Sequence, residues 1–398
     1  MPRSAGRSVL RVRWIQTAIL IGRGMRTLSR WLRIGAGGVI GGRLVLALAP
    51  GALPRLAEGR RVVLVSGTNG KTTTAHLIAA ALRTAGRVAH NETGANMPDG
   101  LVAALAADRS APFAVLEVDE LYLGEITDAL QPDVLVLLNL TRDQLDRGFE
   151  VQAVADSVSA AVARSPRSVV VANGDDPLVV RAVGDPAHVV WVAGGAEWQA
   201  DAIGAMPPPP MAWTVHERGI RGPEGCTPVH LALPGRFNLG NAAMSMATAA
   251  ALGVPPATAA AAISAVTSIA GRYSVVERGP HLLRLLLAKN PAGWSELLPL
   301  IAHAPALLLV INAHEADGRD TSWLWDVPFE QIDVPCVVAS GERAADVGLR
   351  LSYAGIQHVT EPDPLVALER MPGGEVQVVA NYTAFLGLRR RVDAGTAS

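Results

Sequence analysis

The chain has 398 residues, 49% hydrophobic and 18% charged, a globular composition long enough for two or three domains. A formal charge of −1 gives no support to nucleic-acid binding as its task. Two cysteines, Cys226 and Cys336, exclude a disulfide framework and suit a reducing, cytoplasmic setting.

The charge is unevenly spread. Ten arginines and no acidic residue precede Glu58, which leaves 25 basic and 36 acidic residues for the rest of the chain. Residues 12–33 carry Trp14, Ala18, Ile21, Met25, Leu28 and Leu32 at helical spacing, with Arg23, Arg26, Arg30 and Arg33 mostly opposite. This predicts a basic amphipathic helix within an extension over residues 1–45. It would either pack on the following domain or rest on anionic lipid at the inner face of the membrane. No uncharged apolar run approaches the roughly 20 residues that span a bilayer, and no signal-peptide cleavage pattern follows the arginines.

From residue 61 the pattern alternates. Short β-branched runs predict strands at 61–66, 113–118, 133–138, 168–172 and 188–192, with helices between them, the first an Ala-rich stretch over 72–85 ending at Gly86. Residues 193–236, with four prolines at 207–210, read as an insert of loop and small hairpins. Residues 238–268 read as two Ala-rich helices. Further strands are expected near 281–288, 306–312, 335–339, 356–359 and 376–380. The fold class is therefore α/β: a mostly parallel, nucleotide-binding sheet domain over 46–270, then a smaller Rossmann-like α/β domain over 271–398.

Gly67-Thr68-Asn69-Gly70-Lys71-Thr72-Thr73 follows a strand and opens a helix, the setting of a phosphate loop. Glycines admit the phosphates to backbone N–H groups, Lys71 reaches the outer phosphates, and the Thr72 hydroxyl can bind Mg²⁺. The spacing departs from the full P-loop pattern at Val65, which stands where its first glycine would be. Glu117 ends an apolar strand and is a candidate Mg²⁺ ligand, with Asp119 and Glu120 as rivals. Asn139 ends the next strand. Asn173-Gly-Asp175-Asp-Pro177 suits either a nucleotide contact or a helix cap. The chain has only two lysines, Lys71 and Lys289, against 33 arginines. A lysine kept against that bias suggests a task for a compact ammonium. Arg272, at the junction of the two domains, could add a cation on closure or form an ordinary interdomain ion pair.

Together GTNGKTTT at 67–74, Glu117, NLTRDQLDR at 139–147, NGDDP at 173–177 and PGRFNLGNAAMS at 234–245 resemble the central ATPase domain of Mur ligases. Gln144, where peptide-forming Mur ligases usually carry His, is similar to the MurT group, the Mur-ligase-like subunits of lipid II isoglutaminyl synthase. So are GANMPDG at 94–100, LAKNPAGWSE at 287–296, DGRDTSWLWD at 317–326 and ANYTAF at 380–385.

The resemblance implies ATP-dependent amidation of the D-isoglutamate α-carboxylate in lipid II, with ammonia from a GatD-type glutaminase. It implies contacts to ATP and Mg²⁺ from Lys71, Thr72, Glu117 and Asn139, with Asn238 and Asn241 of the PGRFNLGNAAMS motif beside them. It also implies that one of Asp317, Asp320 and Asp326 works at the partner's glutaminase centre, Asp317 and Asp320 ranking first. Catalytic candidates in the C-terminal domain are thus these acids with Lys289 and Arg272.

Two departures accompany the likeness. The family's four-cysteine zinc ribbon is reduced to Cys226, with His216 and His230 as the nearest other soft ligands, so zinc is not expected. Ile311-Asn312-Ala313-His314-Glu315 replaces an Asn-Asp-Asn stretch. Neither cysteine sits in a nucleophile elbow, and Cys336 lies in an apolar strand, so ammonia would come from another polypeptide. The short stretch before the phosphate loop, about 66 residues, fits a lipid-linked substrate better than a UDP-linked one. Two alternatives stand: another Mur-type ligase that adds an amino acid, or a catalytically inactive nucleotide-binding regulator of a glutaminase.

Overall fold

The computed structural model describes residues 38–140, 151–184, 188–196, 208–314 and 317–395. The expected helix over 12–33, together with Gln144 and Glu315, lies outside them. The described residues form two compact units. One comprises 38–140, 151–230 and 239–265; the other comprises 231–238 and 266–395.

The first unit is built on a nine-stranded sheet with order β2-β3-β1-β4-β5-β6-β7-β8-β9. Its strands are β1 (Arg61–Ser66), β2 (Val88–His90), β3 (Phe113–Glu117), β4 (Val134–Leu137), β5 (Val169–Asn173), β6 (Val189–Ala193), β7 (Trp213–His216), β8 (Gly219–Gly222) and β9 (Gly225–Thr227). The pairs from β2 to β7 are parallel. The last three strands form antiparallel hairpins, the shape expected of the Pro-rich insert. Val62, Val63, Leu64 and Val65 are almost wholly buried, as a parallel strand covered on both faces requires.

The helices of this unit are α1 (Gly38–Leu48), α2 (Ala52–Ala57), α3 (Lys71–Leu82), α4 (Pro98–Ala107), α5 (Leu123–Leu130), α6 (Val151–Ala163), α7 (Pro177–Val183), α8 (Arg236–Ala251, whose first turn belongs to the second unit) and α9 (Pro256–Ser264). On one face of the sheet Val62, Leu64, Leu116 and Leu135 form a single core with Leu101 and Leu105 of α4 and Ile126 of α5. Three-residue β2 is too short to carry a sequence signal of its own.

Helix α1 packs on α4, so the 45/46 division drawn from charge falls inside a helix. Gly42 is buried at this crossing, where a methyl group would come 1.8 Å from the Asp99 carbonyl oxygen. Arg43 adds an ion pair with Asp99 at 2.8 Å.

The second unit holds a six-stranded sheet with order β10-β11-β15-β12-β13-β14. Its strands are β10 (Tyr273–Arg278), β11 (His281–Leu287), β12 (Leu307–Val310), β13 (Val337–Ser340), β14 (Val359–Thr360) and β15 (Gly374–Ala380), and its helices are α10 (Pro291–Ile301), α11 (Ala344–Tyr353), α12 (Pro364–Glu369) and α13 (Tyr382–Gly395). All neighbouring strands run parallel except the β10–β11 hairpin. The sequence reading passed over β10 because it begins directly behind the Gly271-Arg272 junction. Leu283, Leu285, Leu308, Val376, Val378 and Phe385 centre this core.

Gly42 yields a direct test of the α1 packing. Gly42→Ala should force the two helices apart and destabilise the protein by about 1–3 kcal/mol, the usual cost of overpacking. Thermal unfolding followed by circular dichroism would show a midpoint several degrees lower. An unchanged midpoint would mean that α1 does not dock here.

Candidate active site

Strand β1 lies between β3 and β4, where the chain, having filled one side of the sheet, turns to the other. Parallel sheets bind ligands outside the carboxyl ends of their strands at such a point. Here the loop Gly67–Gly70 leaves β1. Gly67 has φ 136° and Gly70 has φ 85°. A methyl group at Gly67 would lie 2.9 Å from the Asn139 nitrogen, and one at Gly70 would lie 2.9 Å from Asn241 Oδ1. Both positions therefore require glycine for conformation and for space.

The β1–β4 pairing continues into this loop. Leu138 N–H donates to Ser66 O at 3.0 Å and Thr68 N–H to Asn139 O at 2.8 Å. The Asn139 side chain then takes over. Its Oδ1 accepts from Asn69 N–H at 2.8 Å, and its Nδ2 donates to Asn69 O at 3.0 Å. The amide of Asn139 thus holds the loop's shape. Asn241 reaches the same helix start, accepting from the Thr74 hydroxyl at 3.2 Å. Thr73 is half-buried on the first turn of α3.

Lys71 and Thr72 open α3 and are buried. Lys71 Nζ donates to Gly67 O at 2.5 Å and to Glu120 Oε2 at 3.0 Å. Thr72 Oγ1 donates to Glu117 Oε2 at 2.7 Å. The three acids beyond β3 are thereby sorted. Glu117 faces Thr72, Glu120 pairs with Lys71, and Asp119 accepts from Leu121 N–H at 3.1 Å to close its own turn. Asn96 Nδ2 lies 3.4 Å from Glu117 Oε1. The converging Thr72 hydroxyl and Glu117 carboxylate form a hard-oxygen donor set that fits Mg²⁺.

Two histidines stand one turn further along α3. His76 Nδ1 is 3.0 Å from Thr72 O, and His90 of β2 meets the His76 ring edge-on at 4.6 Å between centroids. His90 Nδ1 donates to Val115 O. Burial, then the neighbouring imidazole, pushes the His90 pKa down to about 3. Burial also lowers that of His76. This pair is neutral at neutral pH and leaves Lys71 as the cation of the loop.

The 173–177 motif is occupied with capping. Asp176 Oδ1 accepts from Leu178 and Val179 N–H at the start of α7, and its Oδ2 accepts from Leu140 N–H. Asp175 accepts from Gly195 and Ala196 N–H, and burial raises its pKa. Asn173 accepts from Asp175 N–H. Asn238, on the first turn of α8, is buried and donates to Pro234 O at 2.6 Å.

In the second unit, Lys289 is half-buried between β11 and α10, beside Asn290, which caps α10 through Gly293 N–H at 2.8 Å. Arg272 is half-buried in the turn before β10, its N–H bonded to Ile269 O. The DGRDTSWLWD acids differ sharply. Asp317 is 3% exposed and accepts from the Thr383 N–H and hydroxyl and from His314 N–H. Asp320 and Asp326 are exposed. Asp320 accepts from Ser322 N–H at 2.8 Å, and the Ser322 main chain and hydroxyl hold its carboxyl below the usual carboxylate range. Asp326 ends the 3-10 turn Ser322–Asp326. Cys336 is half-buried against the core, which raises its thiol pKa, and Cys226 is exposed.

Sequence reasoning gave no role to Asn91 or Asn96, although both touch Glu117. The available signal was an Asn directly behind the alternating Val88-Ala89-His90 and a Gly-Ala-Asn turn three residues later.

The Mur ligase middle domain matches residues 65–249, and the MurT ligase C-terminal domain matches residues 287–385. The chain is 29% identical to the MurT subunit of glutamine-hydrolysing lipid II isoglutaminyl synthase from Streptococcus pneumoniae, over 90% of this chain and 92% of that one. It is 26% identical to the Staphylococcus aureus MurT subunit, over 79% and 83%. Among solved structures, MurF of Acinetobacter baumannii superimposes with a TM-score of 0.69 at 17% identity, covering 89% of this chain and 80% of that one. Folylpolyglutamate synthase of Mycobacterium tuberculosis superimposes with a TM-score of 0.63 at 18% identity, covering 87% and 93%. At such identities the structural likeness is one of fold. With both domain signatures in order along one chain, and MurT relatives aligned over most of its length, the chain belongs to the MurT branch of the Mur ligase family.

Proposed function

We propose that this chain is the synthetase subunit of a lipid II isoglutaminyl synthase. It activates the D-isoglutamate α-carboxylate of the lipid II stem peptide with ATP and delivers it to ammonia, giving D-isoglutamine. The observation that supports this most is the convergence of Lys71, Thr72 and Glu117 at the β1–α3 turn in a chain that carries a MurT-type C-terminal domain.

Direct displacement of oxide from a carboxylate by ammonia is too slow to be useful. Transfer of the γ-phosphoryl group gives an acyl phosphate. The nitrogen lone pair then adds to the carbonyl carbon, the C–O bond to phosphate breaks, phosphate departs with its electron pair, and the nitrogen loses a proton. Bound Mg²⁺ would neutralise charge on the phosphates during the transfer. Thr72 and Glu117 are the residues to hold it. Lys71 exchanges Glu120 for the outer phosphates, trading one buried anion for another. Arg272 and Lys289 are the catalytic cations proposed for the C-terminal domain.

Ammonia is a nucleophile only as free NH₃, which is scarce at neutral pH, so a private source helps. The half-buried Cys336 with its raised thiol pKa and the isolated Cys226 suit no glutaminase centre. A GatD-type partner is proposed to supply the ammonia. Of the three acids, Asp320 best suits work on that partner. It is ionised, exposed and fixed by Ser322, and orienting a partner histidine requires an ionised, fixed carboxylate. Asp317 is spent on Thr383. Trp325, 51% exposed and edge-on to Tyr353, offers apolar surface next to Asp326 in the same motif that a protein partner could cover. Among the described residues no helix is long and apolar enough to cross a membrane. The arginine-rich segment before residue 45 is proposed as a peripheral contact with anionic lipid.

The test is co-expression with a GatD-type glutaminase, followed by lipid II, Mg-ATP and glutamine, with mass spectrometry of the stem peptide. Carboxyl should become carboxamide. Lys71→Ala should lower the rate by at least about 10²–10³-fold, as loss of one positioned charge stabiliser does. Full activity in that variant would remove the phosphate loop from the mechanism. Product formed from an added amino acid instead of ammonia would favour an amino-acid-adding ligase.

The acid assignment has its own readout. Asp320→Ala should abolish amidation driven by glutamine and leave amidation driven by added ammonium chloride intact. Asp317→Ala should lower the thermal midpoint and reduce both activities together. Loss of the ammonium-driven reaction in Asp320→Ala would place this acid in the synthetase step instead.

A further inference from the structure

Strand β2 ends early. Its last rung pairs His90 with Val115, two residues short of Glu117. In a strand, the N–H and C=O of one residue face the same neighbour. On the β1 side, the pairing is completed by Val118 N–H, which donates to Val65 O at 2.9 Å. The N–H and C=O of Glu117 itself face the other side, where β2 no longer runs. Left there unpaired, two buried peptide groups would be costly.

Asn91 fills that gap with its side chain. Its Oδ1 accepts from Glu117 N–H at 2.9 Å, and its Nδ2 donates to Glu117 O at 2.9 Å. The residue is 4% exposed. An amide side chain thus stands in for the missing strand at the rung that carries the Thr72-bonded carboxylate.

The same side chain shapes the loop above that carboxylate. Asn91 Nδ2 also donates to Ala95 O at 2.9 Å, and Gly94 N–H donates to Asn91 O at 2.9 Å. The turn brings Asn96 over β3, where its carbonyl accepts from Asp119 N–H and its Nδ2 lies 3.4 Å from Glu117 Oε1. A methyl group at Gly94 would lie 3.3 Å from Thr72 Oγ1 and 3.5 Å from Glu117 Oε2. Main chain below and loop above are both set by Asn91.

We infer that Asn91 is a positioning residue that holds Glu117 ready for a divalent cation, through the main-chain pairing and the 91–96 turn. This rests on the reading of Thr72 and Glu117 as the metal pair. Mg²⁺ demands near-ideal octahedral geometry with bonds of about 2.0–2.1 Å. A carboxylate that drifts by a fraction of an ångström therefore loses the metal before the fold is lost.

The experiment measures Mn²⁺ binding by electron paramagnetic resonance to the full chain saturated with a nonhydrolysable ATP analogue. Wild type, Asn91→Ala, Glu117→Gln and the double variant are compared. Nucleotide binding without metal and thermal unfolding are followed in parallel. Asn91→Ala is expected to weaken Mn²⁺ binding by roughly 10-fold or more, the usual effect of removing a residue that orients a metal ligand. Metal-free nucleotide affinity should stay within about twofold of wild type. Because Asn91 acts through Glu117, Asn91→Ala should add nothing in the Glu117→Gln background.

Wild-type Mn²⁺ affinity in Asn91→Ala, or the same loss in both backgrounds, would overturn the inference. If Glu117→Gln itself keeps wild-type Mn²⁺ affinity, the metal reading fails and takes this inference with it. If Asn91→Ala does not fold, Asn91→Ser, polar enough for water to satisfy the freed peptide groups, carries the same comparison.

Discussion

A parallel sheet that binds a ligand at its carboxyl edge faces a conflict. Its strands must separate there to make room, yet each separating strand leaves peptide N–H and C=O groups without a ladder partner in a buried place. Asparagine answers it, since its side chain carries the same donor and acceptor as a peptide group. Asn139 clamps Asn69 beyond β4, Asn91 clamps Glu117 beyond β2, and Asn381 beyond β15 clamps Asn312 through both its amide atoms. In each case the neighbour's N–H goes to Oδ1 and its C=O accepts from Nδ2. The phosphate loop, Glu117 and the Asp317 segment all hang from such points. The chain can open at these edges because the pairing has been moved onto side chains.

Charge is arranged around the same edge with similar economy. Lys71 is buried with Glu120 at 3.0 Å, their side chains 8% and 12% exposed. A lone buried ammonium is costly; here Glu120 and the Gly67 carbonyl accept its hydrogen bonds. The cost of losing Glu120 falls when another anion takes its place, so under the proposed function the pair would work as a holding position. The histidines behind Thr72 cannot compete for that anion. His90, with a pKa of about 3, stays neutral. On the proposed reading, Lys71 is the cation that meets a phosphate, at the end of a helix whose dipole favours an anion.

The sequence was informative wherever one strand or one helix carried the whole signal. The apolar runs at 61–66 and 113–118, the Ala-rich helix behind Lys71 and the glycines of the loop follow local rules, and the structure shows them within a few residues of where they were expected. The same holds for the hairpins of the 193–236 insert. Strand β2 and strand β10 were missed for opposite reasons. The first is three residues long, and the second, Tyr-Ser-Val-Val-Glu-Arg, was read as a junction because glycine and arginine precede it. Side-chain duties were less legible. Glu117, Asp119 and Glu120 are near-equivalent in sequence. They are told apart by what each one meets, Glu117 and Glu120 two residues of α3 and Asp119 its own turn, and that depends on how β3 and β1 register, Val65 opposite Glu117. The aspartates of 173–177 looked equally fit for nucleotide or cap, and the backbone N–H groups of α7 and of residues 195–196 take Asp176 and Asp175.

In the second unit two acids of one motif stand in different settings, Asp317 buried against Thr383 and Asp320 exposed. Asp317 and Asp320 lie three residues apart in one motif, and the sequence ranked them together. The Asp317 carboxylate receives the N–H and hydroxyl of Thr383 at the start of α13, and Asn381 two residues earlier binds Asn312 beyond β12. These contacts tie the segment after β12 to the end of β15, so the loop that carries Asp320 leaves from a fixed base. Asp320 is held by Ser322 in the turn that follows. A carboxylate meant to act outside its own chain needs this combination: an anchored loop root, an ionised state and an exposed position. Burying the acid itself would serve the anchor and defeat the reach. On the proposed reading the two aspartates have complementary duties, and replacing either should fail in a different way.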